Sequence, residues 1–162
     1  MRKQSVFVVL TLMIPLVATS QSLSYEDADT PSEAVGMMKQ SEQAAHAMRE
    51  QCIARFPDLQ PEIDANLQKW EITEAQVLKK TEVHWAAMVK KQPSIADALK
   101  LVDSAIKTQM DTITPMEAAS KSPGHPGTDL LIQRCKRHFS DLASGVWRKR
   151  TPRAYAFMDR AP

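Results

Sequence analysis

Glycine and cysteine are both scarce in this 162-residue chain, with 4 and 2 respectively, and aromatic residues make up only 6%. So few glycines leave little room for the strained turns on which phosphate-cradling loops and nucleophile elbows depend, and neither a Gly-rich phosphate loop nor a G-x-S-x-G stretch occurs. There is no C-x-x-C, no H-E-x-x-H and no Glu-x-x-His, so zinc ribbons, zincins and di-iron bundles lack their ligand patterns. Two cysteines exclude a multi-disulfide miniprotein, and the length excludes a (β/α)8 barrel or a two-domain doubly wound enzyme. What remains is 43% hydrophobic and 25% charged, the composition of one ordinary globular domain.

Long apolar runs are absent except for one. Arg2 and Lys3 precede Val6 to Val17 (VFVVLTLMIPLV), and Ala18-Thr19-Ser20 follows with small residues where a signal peptidase reads them. A charged start, about a dozen apolar residues and a small-x-small end form a secretory signal, predicted to be cut between Ser20 and Gln21. A membrane anchor would need about 20 apolar residues and would not favour Pro15. The expectation is a periplasmic or secreted protein, and no Cys lies near the cut to carry a lipid. The single asparagine, Asn66, is outside any N-x-S/T context.

Residues 21–30 (QSLSYEDADT) are polar and acidic without periodicity and read as a flexible lead. Beyond them apolar residues recur every three or four positions, and no stretch alternates with period two, so the fold class is all-α. A first helix starts at Pro31, capped by Thr30, with Ala34, Met38, Ala45, Met48, Cys52 and Phe56 on its apolar stripe. A second runs from about Asp58 to Lys91 with Ile63, Leu67, Trp70, Val77, Leu78, Trp85 and Met88, kinked near Ile72-Thr73. A third opens at Pro93 with a capping box from Ser94 and Asp97, carries Ile95, Leu99, Val102, Ile106, Met110 and Ile113, and stops near Pro115. The loop Ser120 to Gly127 leads to a fourth from Thr128, striped by Leu131, Cys135, His138, Leu142 and Val146.

Short links make neighbouring helices antiparallel, which predicts an up-down-up-down four-helix bundle over residues 31–148, followed by a basic, aromatic tail at 149–162. Helical cytokines need long crossovers that these links do not permit. In such a bundle the end of the first helix lies beside the start of the fourth, so Cys52 and Cys135 are predicted to form a structural disulfide. Closing that loop would stabilise the fold by about 4 kcal/mol.

No residue set points to catalysis, to a metal or to a cofactor. Methionines suit copper(I), and a Met–His pair can hold haem, with Met48 and His138 as the candidate ligands of that alternative; at core-stripe positions methionine is simply adaptable packing. A cell-wall-acting enzyme with converging carboxylates is a further alternative.

Charge placement is more informative. The full chain has a formal charge of +2, but Arg2 and Lys3 supply all of it, and the rest carries 19 charges of each sign. Residues 21–64 hold 3 basic and 9 acidic side chains, residues 65–133 hold 8 and 8, and residues 134–162 hold 8 and 2. The acidic first helix should therefore attract the basic fourth, as flanking charges do in coiled coils. Trp147, Arg148, Lys149, Arg150, Arg153, Tyr155 and Phe157 follow the last core turn and form the candidate partner surface. The expected function is that of an exported protein-interaction module of inhibitor, immunity or accessory type. Its partner would be a protein with an acidic surface; nucleic acid does not suit a net-neutral exported chain, and a membrane face suits it less well than protein.

Overall fold

A computed structural model describes residues 27–119 and 128–161, together with their side chains except those of 113–119 and 128–129. The predicted export signal, most of the acidic lead, the loop 120–127 and the side chains of Ile113 and Met116 lie outside the described residues. The described chain is all-helical, with seven α-helices: α1 (Pro31–Arg55), α2 (Gln60–Thr73), α3 (Ala75–Lys91), α4 (Asp97–Ala119), α5 (Thr128–Ala143), α6 (Val146–Arg150) and α7 (Pro152–Arg160).

Local chemistry accounts for most of these limits. Glu33 N–H donates to the Thr30 hydroxyl at 3.2 Å, the Glu33 carboxylate accepts from Thr30 N–H at 3.1 Å, and Pro31 occupies the first turn, where an amide would be unpaired anyway. Pro57 follows the end of α1 and opens a 3₁₀ turn, Pro57–Leu59. The expected kink falls one residue later than Ile72-Thr73, at Glu74, whose side chain turns inward and is only 3% exposed. The capping box of Ser94 does not form: Pro93–Ala96 is a 3₁₀ turn without a side-chain cap, and Asp97 accepts from Lys100 instead. α4 also passes through Pro115 to Ala119, giving up an amide donor without ending.

The fourth segment departs furthest from expectation. Gly145, at φ 71°, breaks it in the left-handed conformation that favours glycine, and α6 and α7 follow. The basic, aromatic segment after residue 148 packs back onto the fold as α7: Ala154, Tyr155 and Met158 are buried, and α7 lies against α1 and α3. On α5 the buried stripe is Leu131, Cys135, Phe139 and Leu142. Phe139, fully buried, takes the inward place expected for His138, which lies at the boundary with its Nε2 buried and without a hydrogen-bond partner.

Side chains collect in two apolar clusters. One surrounds the Cys52–Cys135 disulfide, where Met48, Ile63, Leu67, Trp70, Met110 and Phe139 meet. In the other, Val35 and Met38 of α1 and Val77 and Trp85 of α3 meet Ala154, Tyr155 and Met158 of α7. Methionine fills both, as the stripes predict. Among the described residues no helix is long and apolar enough to cross a membrane.

Candidate functional site

α7 is a nine-residue helix, too short to hold itself in water, and both of its ends are capped from elsewhere. The Asp27 carboxylate accepts from Arg153 N–H at 2.6 Å and from Ala154 N–H at 2.9 Å. At the other end Lys80 Nζ donates to the carbonyls of Asp159 at 3.1 Å, Met158 at 3.4 Å and Ala161. A carboxylate at the N-terminus and an ammonium at the C-terminus each complement the helix dipole.

Burial alone would push the Asp27 carboxyl up, but the amides of Arg153, Ala154 and Ala28, with the Arg153 guanidinium, outweigh it and hold the group below its ordinary value. A lowered folded-state value means that the cap stabilises the fold above the unfolded carboxylate range, about pH 4, and that this contribution vanishes as pH falls through the folded value. We expect Asp27→Asn to cost about 1 kcal/mol at pH 7, a typical cap loss, with the stability difference from wild type shrinking as pH is lowered from 5 to 2. Urea titrations across that range check this, and a gap independent of pH would contradict it.

The Arg148 side chain ties the corner between α2 and α3 to α7. Its Nη2 and Nε meet the Glu74 carboxylate at 2.8 and 3.3 Å, and Nη1 reaches Asp159 at 3.0 Å. The guanidinium also lies 4.2 Å from the centroid of the Tyr155 ring, a cation–π stack. Glu74 holds the guanidinium proton more firmly than usual. Burial, with the Glu74 charge adding to it, pushes the Tyr155 phenol up to about 12.

Arg153 and Tyr155, like Arg148, thus make contacts within the chain. Arg153 reaches Asp29 at 2.7 Å and the Asp27 carbonyl at 3.0 Å. Trp147 is half-buried against the disulfide cluster, Phe157 is half-buried beneath the Arg160 guanidinium at 5.5 Å, and Arg150 lies 3.8 Å from Asp141. Lys149 is exposed and makes no ion pair among the described residues.

The acidic and basic thirds of the chain do meet, although through other residues than expected. Asp27 and Asp29 pair with Arg153, and Glu62 of α2 pairs with Lys136 at 2.8 Å. Among the described residues no ion pair joins α1 to α5. α1 spends its charges on Glu82, Asp64 and Asp111 through Lys39, Arg49 and Arg55. Arg134 and Arg137 on the outer side of α5 have no counter-ion among the described residues.

Sequence reasoning also missed a shallow cleft of about 390 Å³ between α1 and α2, where His46 lies 3.7 Å from Glu71 and Arg49 pairs with Asp64 at 2.7 Å. A second cleft of about 370 Å³ is lined by Asp27, Asp29, Glu33 and Met37. Met48 and His138 line neither. Met48 is enclosed in the disulfide cluster, while His138 sets its ring edge-on to Phe139, and burial, reinforced by Arg134, pushes its imidazole down to about 4. Among the described residues no three His, Cys, Asp or Glu side chains converge as a metal site would require.

Comparison with protein families, with curated proteins and with solved structures found no match.

Proposed function

We propose that this chain is an exported, periplasmic or secreted, protein-interaction module of inhibitor, immunity or accessory type that binds a partner with an acidic surface. Its scaffold is read as an up-down-up-down set of four helical rods, with α2 and α3 together counting as the second and α5 with α6 as the fourth. The disulfide between the end of the first rod and the start of the fourth supports that order.

One observation carries the binding reading: within the basic C-terminal third of the chain the fold matches some cations and leaves others, close together on α5 and α6, unmatched. Lys136, Arg148, Arg150 and Arg153 all have carboxylates within the chain, whereas Arg134, Arg137 and Lys149 have none among the described residues. The docking surface is thus centred on α5 and α6, with Tyr155 and Arg148 acting as internal braces behind it. Paired surface charges contribute little to stability, so unpaired ones are tolerated where they serve association.

Truncation at Val146 would remove residues that complete a core cluster, so the test uses point substitutions in the full chain. Arg134→Glu, Arg137→Glu and Lys149→Glu together are expected to abolish capture of a salt-sensitive partner from an exported fraction, with the melting temperature retained. Undiminished capture by this variant would overturn the reading.

A further inference from the structure

We infer that the outer edge of α5, formed by Leu130, Arg134 and Arg137, seats an acidic amphipathic helix of the partner protein. This rests on the binding reading above and names the shape and chemistry of what is bound.

Leu130, Arg134 and Arg137 stand at positions i, i+4 and i+7, which places them along one side of the helix over about 10 Å. Leu130 is 56% exposed, one of the few large apolar side chains turned to solvent. The opposite side of the same helix is fixed, because Leu131, Cys135, Phe139 and Leu142 are buried and Cys135 is covalently tied to α1. The edge cannot roll inward to hide Leu130, so it is a preformed ridge. Preformed ridges lose little freedom on association, and a straight ridge fits between the side-chain rows of another helix.

Charge complementarity selects the partner. On the same row Asp141 follows Arg137 by one turn but pairs with Arg150 at 3.8 Å, and the neighbouring Lys136 is matched by Glu62, so the half-buried Arg134 and the exposed Arg137 form no ion pair among the described residues. A helix with Glu or Asp repeating at i, i+3 and i+4 and an apolar residue between them meets both guanidinium groups while covering Leu130. An acidic coil would meet the charges without covering Leu130. A membrane face would call for exposed aromatic residues beside the cations, and Tyr155 is buried while Phe157 is half-buried.

The test uses the full disulfide-linked chain and a labelled synthetic helical peptide carrying Glu at i, i+3 and i+4 around a leucine, followed by fluorescence anisotropy. Two probes run in parallel: the same composition scrambled to destroy the amphipathic pattern, and phosphatidylglycerol vesicles. The patterned peptide is expected to bind about tenfold more tightly than the scramble, and Arg134→Glu with Arg137→Glu to lose about tenfold. Leu130→Gln is expected to weaken binding several-fold without altering its salt dependence, with circular dichroism unchanged for each variant. Equal binding of the scrambled peptide, or binding to vesicles in preference to peptide, would overturn the inference. Loss on Lys149→Glu with Arg150→Glu but not on the α5 pair would overturn it while leaving the module reading intact; loss on neither would overturn both.

Discussion

Replacing Cys52 and Cys135 together by alanine is expected to lower the unfolding free energy by about 4 kcal/mol, the largest single effect in this molecule. The bond spans 83 residues, so in the unfolded chain it closes a loop of more than half the sequence and removes a correspondingly large share of its conformational freedom. Both cysteines are fully buried, so the alanine pair also loses contacts with the surrounding cluster. Urea titration of oxidised wild type, reduced wild type and the double variant measures it. If the loss were below about 1 kcal/mol, the unfolded state would have to be compact enough to hold these two positions together without the bond.

Arg148→Met is expected to cost about 3 kcal/mol, because it leaves the Glu74 carboxylate buried without its counter-ion. The figure sits at the low end for buried pairs, since Arg148 itself is 42% exposed while Glu74 is 3% exposed. Glu74→Gln should cost less, since a neutral amide is less expensive to bury than a charge, and Glu74→Leu combined with Arg148→Met should recover most of the loss. A double-mutant cycle in urea decides the matter: additive costs would mean that the two side chains do not depend on one another. The contrast with Arg153 and Asp29, at 58% and 73% exposed, is instructive, since an ion pair that wet contributes below about 1 kcal/mol.

Much of this architecture is legible in the order of residues. Thr30, Pro31 and Glu33 mark the start of α1, and two cysteines can pair in only one intramolecular way. The stripe of α2 and α3 also holds a readable clue. Glu74 falls on the apolar register of Leu67, Trp70, Val77 and Thr81, and an acid on a core register demands a buried cation. α7 is different in kind. Its inward residues are only Ala154, Tyr155 and Met158, and its two caps, Asp27 and Lys80, lie far away in the sequence. No local window holds both a nine-residue helix and the groups that stabilise its ends, so these residues read as a tail. The outer edge of α5 was hidden for a related reason: which cations are left unmatched depends on where every carboxylate ends up.

The clasp between residues 27–29 and α7 also orders events during synthesis. The acidic half of the clasp is among the first parts of the folded region to emerge and α7 is the last. Cys135 therefore becomes available to Cys52 while the groove on α1 and α3, with Val35, Met38, Val77 and Trp85, is still uncovered. A nascent chain can thus be covalently closed before it is apolar-closed. In the interval between those two closures that apolar groove is open to the surroundings.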